Sequence, residues 1–266
     1  MSPSRSTLAS IIVLTSLNMG CQSENAPRPL TVDLLSDHQL VDMTHTLSVK
    51  APFWAGDSTP FVYETVASHP SGKTIMGRYS VPEHFGTHLD APIHGGDHLP
   101  TVDELKAEDL FGPAVVVDIS ENAAQDPDYL LSVEDLQDWE KINGPIPTGA
   151  IVLLNTGWGS KWDDVTAYKN ADQDGRMHFP GFSEEAARFL IDTRSIRGVG
   201  IDNMSIDYGM SRDFVAHGII NGSGKYHLEN VANVDLLPAV GAYLIVAPIK
   251  LEGGSGGQVR IWAVLP

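Results

Sequence analysis

Four of the chain's ten histidines, His84, His88, His94 and His98, fall within one fifteen-residue stretch that also holds Asp90. Imidazoles and carboxylates gathered in this way can hold a metal ion or carry protons. In a straight strand His84 and His88 would stand roughly 13 Å apart, at about 3.3 Å per residue, too far for one ion. A helical turn or tight coil brings positions four apart to about 6 Å, a reach that suits two imidazoles on one metal. Gly86 allows the backbone to bend between them, and Pro92 is expected to stop a helix from running on to His94. The spacing therefore predicts a turn that delivers His84, His88 and Asp90 to one point, with His94 beyond the break. Two imidazoles and a carboxylate suit Zn²⁺, Mn²⁺ or Fe²⁺ and leave positions open for water. A bound ion can lower the pKa of its water from about 15.7 to about 7. A histidine outside the ligand set, for which His94 is the candidate, can then move protons between that water and a leaving group. The competing reading, histidines decorating an exposed loop, does not account for the agreement of residue type, spacing, Gly and Pro.

The elements that must position these residues read as mixed α/β. Ala114–Ile119, Ala150–Asn155, Gly198–Ile201, Tyr243–Pro248 and Gln258–Val264 are short apolar runs expected to be buried strands, and continuous apolar strands imply a sheet covered on both faces. Ser132 followed by Asp135 offers a capping box for a helix through Trp139, and Ser183-Glu-Glu185 starts another running to about Thr193. With 266 residues, 42% hydrophobic and 19% charged, and no strong linker, the chain suits one large domain over residues 30–266. The net charge of −17 repels phosphate backbones and argues against a nucleic-acid partner. A single cysteine, Cys21, excludes an internal disulfide framework and thiolate-rich zinc clusters, so nitrogen and oxygen must hold any metal.

The start of the chain differs from the rest. Arg5, the apolar run Leu8–Leu17 and Gly20-Cys21 have the layout of a signal peptide over residues 1–21, with Cys21 as a possible lipid anchor; Asn18 stands where an aliphatic residue is usual in such a site. Residues 22–29 then form a polar tether. The expected location is exported, periplasmic or membrane-anchored, and cytoplasmic if the leader is not a signal.

The pattern H-x-G-T-H-x-D-x-P-x-H, complete from His84 to His94, resembles the signature of the cyclase family of metal hydrolases, which includes bacterial kynurenine formamidase and isatin hydrolase. The resemblance extends over nearly everything from Val41 to Pro266. It implies the swivelling β/β/α fold of that family, a single domain with a mixed sheet, and a homodimer. It also implies that His84, His88 and Asp90 bind one zinc, that Asp90 touches a second, and that His94 is the proton donor and acceptor. The formamidases complete a two-zinc centre with a later histidine and, twelve residues on, a bridging glutamate; His217 and Glu229 stand at that spacing. Trp54 matches a substrate-contacting tryptophan, and a flat aromatic there could stack on an aryl group; packing as a loop anchor is the alternative. Of the other histidines, His45, His98, His178 and His227 are read as surface groups or supports of the ligands and are assigned no chemistry. Asp202 and Asp207 follow a strand and are placed beside the cleft by position alone. Isatin hydrolase-like sequences lack the carboxylate at the glutamate position, yet they are similar to this chain in stretches such as Asp126–Leu131.

The implied activity is hydrolysis of a small aromatic amide with two divalent ions, zinc or alternatively manganese. N-formylkynurenine is the first substrate to try, and a cyclic amide such as isatin, or a lactone, the second. A reading from another class is an exported metal- or solute-binding lipoprotein without turnover. Gly253-Gly-Ser-Gly-Gly257 matches the G-x-S-x-G elbow of serine hydrolases, but no His, Asp or Glu follows it to complete a triad. A flexible turn between two strands is expected instead.

Overall fold

A computed structural model describes residues 39–54, 61–68 and 75–266. The expected leader, the tether and Cys21 lie outside the described residues. The strands are β1 (Leu40–Asp42), β2 (Val62–Ser68), β3 (Ile75–Ser80), β4 (His88–Asp90), β5 (Phe111–Asp118), β6 (Leu130–Leu131), β7 (Ile151–Asn155), β8 (Gly181–Phe182), β9 (Gly198–Ile201), β10 (Tyr226–Glu229), β11 (Tyr243–Pro248) and β12 (Gly256–Val264). The helices are α1 (Ser120–Gln125), α2 (Val133–Asn143), α3 (Val165–Lys169), α4 (Glu184–Arg194) and α5 (Val215–Gly222).

Eight strands form one mixed sheet in the order β1-β12-β11-β5-β7-β9-β10-β4, and β12 pairs with β4 as well, so the sheet closes on itself like a barrel. Its parallel part is β5, β7, β9 and β10, and the rest is antiparallel. The long β12 makes the closure: its start pairs with β4 and its end with β1. Strands β2 and β3 form a separate hairpin, and β6 pairs with β8.

The apolar runs of β5, β7 and β9 are continuous because both faces of the sheet are covered there, whereas β11 buries only alternate residues and leaves Tyr243 and Ile245 exposed. In β5, Ala114 and Val116 pack inward with Leu153, Leu228 and Ile261, while Val115 and Val117 pack outward with Leu136 of α2 and Leu190 of α4. Three of the five helices, α2, α3 and α4, begin at a residue whose side chain accepts from their free N–H groups. Ser132 makes the expected reciprocal capping box with Asp135, and Ser183 accepts from Ala186 N.

Two local expectations are corrected. The turn stops short of His88: His88 and Asp90 stand on the strand β4, and only His84 lies in the bend before it. Pro92 ends no helix: it is the first residue of a 3₁₀ turn, Pro92–Gly95, that itself carries His94. At the first position of such a turn the missing N–H of proline costs nothing and its fixed φ favours the turn.

Candidate metal centre

The pair β4–β10 builds the centre of the site. In this antiparallel pair His227 stands opposite Asp90, Leu228 opposite Leu89, and Glu229 opposite His88. Side chains alternate faces along a strand, and directly opposed Cβ atoms lie about 4.5–5.5 Å apart. Leu89 and Leu228 point into the barrel core. His88, Asp90, His227 and Glu229 therefore share the other face, and all four are buried. Three further histidines come from outside the pair. His84 precedes β4 across a bend at Gly86, whose φ of +67° is the left-handed region and whose added Cβ would lie 2.7 Å from Leu47 Cδ2. His94 arrives on the 3₁₀ turn and His217 on α5.

The polar atoms converge on Asp90. Its Oδ1 lies 2.7 Å from His84 Nδ1 and 3.1 Å from His88 Nε2. Its Oδ2 lies 3.0 Å from His227 Nε2, 3.5 Å from His94 Nε2 and 3.8 Å from His217 Nε2. Glu229 spans both sides too, with Oε2 at 3.4 Å from His88 Nε2 and Oε1 at 3.2 Å from His227 Nε2 and 3.5 Å from His217 Nε2. Two groups of ligand atoms result, each within 4.8 Å of one another: His84, His88 and Asp90, and then Asp90, His217, His227 and Glu229.

The charges and orphaned atoms fit a cation. Two buried carboxylates face each other, a placement that is stable only with positive charge between them. Burial would lower the pKa of His227, but Asp90 and Glu229 raise it to about 10. Burial would raise the Asp90 carboxyl, yet His227 and His88 hold it well below the usual carboxylate range. Buried His88 Nε2 has no hydrogen-bond partner although Asp90 Oδ1 lies 3.1 Å and Glu229 Oε2 3.4 Å away. Its other nitrogen, Nδ1, is fixed by the Gly86 carbonyl at 2.9 Å. His217 is fixed by Asp207, whose Oδ2 meets Nδ1 at 2.6 Å while its two oxygens cap α5 at Ala216 N and His217 N.

His94 differs from the others. It is part-exposed, and burial together with the nearby His84, His217 and His227 lowers its pKa to about 4, against the opposing pull of Asp90. It borders a cavity of about 280 Å³ whose wall also includes Phe53, Trp54, Phe85, Met204 and Phe214. Trp54 meets Phe214 at 6.0 Å and the edge of Phe179 at 6.2 Å, so it is both packed on the domain and part of the cavity wall. Phe214, a non-glycine residue at φ +50°, holds a left-handed backbone at the start of α5, the kind of local strain that gathers at functional sites.

His84, His88, Asp90 and His94 of the signature, with His217, Glu229 and Trp54, all line this cavity. His227, assigned no chemistry from sequence, is fully buried in the second ligand group. The signal was its alternation with Glu229 in His227-Leu-Glu229, which puts both on one strand face. Asp207 does serve the site, through His217, whereas Asp202 turns away to Thr156 and Gly159 and borders a different cavity. His45 stacks on Trp162 at 3.8 Å, and His178 pairs with Asp128 at 2.7 Å; neither joins the ligand groups.

A closed mixed sheet carrying these ligand groups on the β4–β10 face defines a metal-dependent hydrolase of the cyclase family, and the chain belongs to that family: residues 41–208 match the model described as putative cyclase. Among its relatives is an isatin hydrolase of Roseibium aggregatum, 38% identical over 192 residues that span 69% of this chain and 72% of that protein. A kynurenine formamidase of Bacillus cereus is 29% identical over 224 residues, spanning 83% of this chain and 94% of the relative. The solved structure of isatin hydrolase A from Ralstonia solanacearum matches with a TM-score of 0.84 at 34% identity, over 92% of this chain and all of that one.

Proposed function

We propose that this chain hydrolyses the amide bond of a small aromatic substrate, using two divalent ions, zinc or manganese, held by His84, His88 and Asp90 and by Asp90, His217, His227 and Glu229. The observation that carries the reading is the sharing of Asp90 between two ligand groups at the wall of an aromatic-lined cavity. Ions bound there would supply an acidified water as nucleophile and a Lewis acid for the amide oxygen.

The chain's own residues do the rest. Phe53, Trp54, Phe85 and Phe214 offer apolar faces to an aryl group and exclude water around it. His94, neutral at rest, accepts a proton at Nε2 and returns it to the departing nitrogen. Asp207 keeps His217 Nδ1 protonated and Nε2 turned to the ligand group.

Two substrates follow from two observations. The greater similarity to isatin hydrolases favours a cyclic aromatic amide. The Glu229 carboxylate, facing both ligand groups, favours an aryl formamide such as N-formylkynurenine. Hydrolysis of isatin and of N-formylkynurenine, with and without a chelator, tests the proposal. Turnover of either substrate that is lost on chelation and restored by Zn²⁺ or Mn²⁺ supports it. Metal bound without turnover of any aromatic amide would instead favour a binding protein.

Homodimerisation is part of the same reading: the β2–β3 hairpin leaves Val62, Tyr63, Ile75 and Met76 exposed, apolar surface suited to a second copy. Light scattering tests it. Export with lipid on Cys21 rests on the sequence of the leader, and labelled palmitate that is incorporated by the wild type and lost in Cys21→Ala would support it.

A further inference from the structure

The Gly253–Gly257 segment, a turn that runs into β12 at Gly256, does no serine-hydrolase chemistry, yet its serine reaches the metal centre. Ser255 Oγ donates to Glu83 Oε2 at 2.5 Å, and Ser255 N donates to the same oxygen at 3.0 Å. The hydroxyl has one hydrogen, and the carboxylate takes it. Toward His84 Nε2, 3.0 Å away, Oγ can then only accept. His84 Nε2 must carry the proton, which leaves the lone pair on Nδ1, the nitrogen that faces Asp90 Oδ1 at 2.7 Å.

The surroundings fix this arrangement. Gly256 forms the floor under the imidazole: a Cβ there would lie 2.6 Å from His84 Cε1 and 2.8 Å from the Leu89 carbonyl, so a side chain would push the ring out of place. Gly256 is held by pairing with Asp90 across β12–β4, and the Ser255 carbonyl accepts from Ala91 N at 2.9 Å. Gln258 Nε2 donates to the carbonyls of Pro82 and Glu83 at 2.8 and 3.0 Å, tying the segment that carries Glu83 and His84 to the same strand.

We infer that Glu83 and Ser255 are positioning residues that set the His84 tautomer, so that His84 binds its ion through Nδ1. The inference rests on the proposed role of His84 as a metal ligand. Partners of a ligating imidazole typically change metal affinity about 10- to 100-fold when removed. Glu83→Gln keeps the shape but can offer an N–H to Oγ, which frees the serine proton to point at Nε2 and favours the other tautomer.

The test combines a Zn²⁺ titration against a chromophoric chelator with nitrogen-15 shifts of the histidines in the zinc-loaded full chain. The wild type should show His84 bound through Nδ1 with a protonated Nε2. Ser255→Ala and Glu83→Gln should each weaken zinc by about 10- to 100-fold with unchanged circular dichroism, and Ser255→Thr should retain most of the affinity. His84 bound through Nε2, or variants with wild-type affinity, would overturn the inference while leaving the metal centre standing. A wild type that binds no zinc overturns the underlying reading and this inference with it. The tautomer assignment needs only the wild type, so it holds even where a variant fails to fold.

Discussion

Replacing Asp207 with Asn separates the two ligand groups. Asp207 accepts three hydrogen bonds, from Ala216 N at 2.9 Å, His217 N at 3.1 Å and His217 Nδ1 at 2.6 Å. An asparagine has one acceptor oxygen and a donor amide. If the oxygen keeps the helix N–H groups, the amide opposes the Nδ1–H of His217, and the imidazole must rotate or change tautomer. A tautomer change would put a proton on Nε2, the nitrogen that faces Asp90 and Glu229. Losing the partner of a ligating histidine costs about 10- to 100-fold in metal affinity, or about 1.4–2.7 kcal/mol at 1.36 kcal/mol per tenfold. The helix cap is weakened as well, by about 1 kcal/mol. Zn²⁺ titration followed by calorimetry should show the ion at His84, His88 and Asp90 retained and the second weakened, with hydrolysis falling in step with the second. Two ions bound with wild-type affinity would refute the positioning role of Asp207.

Three further outcomes are expected. His94→Gln should leave the metal content unchanged and lower kcat by about 10²- to 10⁴-fold, as loss of a proton carrier does; equal metal content with normal turnover would remove His94 from the chemistry. Trp54→Ala should raise KM for an aryl substrate by about tenfold, from an aromatic contact of about 1 kcal/mol or more, with less effect on kcat; an unchanged KM would leave Trp54 as a loop anchor. His45 titrates in the opposite sense to His227: burial, opposed by Asp163, lowers its pKa to about 4, and its buried Nε2 has no partner. The unfolded chain, with His45 near 6.5, takes up the proton first, so stability is lost as pH falls from about 6.5 to 4. His45→Phe keeps a ring on Trp162 and should reduce the acid loss between pH 7 and 4.5 by about 1–2 kcal/mol, allowing for partial exposure; parallel unfolding curves would count against this.

The parts of the fold legible in the sequence are those whose physics is local. The apolar runs of β5, β7 and β9 are strands buried on both faces, those of β11 and β12 bury mainly alternate residues, and Ser132 and Ser183 mark helix starts by capping them. The strands that carry the site were hidden for the opposite reason. In β4 and β10 the outward face holds His88, Asp90, His227 and Glu229, so only Leu89 and Leu228 remain as an apolar signal. Without seeing that pairing, His227 had no visible partner, although its alternation with Glu229 was present. Pro92 is ambiguous in sequence because a proline in the interior of a helix and one at the first position of a turn are opposite signals in the same residue. Ser255 could not have been placed: its contacts with Glu83 and His84 close over 170 residues of chain, by way of the β12–β4 pairing that completes the barrel.

The most direct test is the metal content per chain of the purified wild type by elemental analysis, read beside that of Glu229→Gln. The account predicts two divalent ions in the wild type and loss of one in the variant, with amide hydrolysis tracking the pair. A wild type with no bound metal that still opens the amide, or one that binds no metal and turns over nothing, would contradict it.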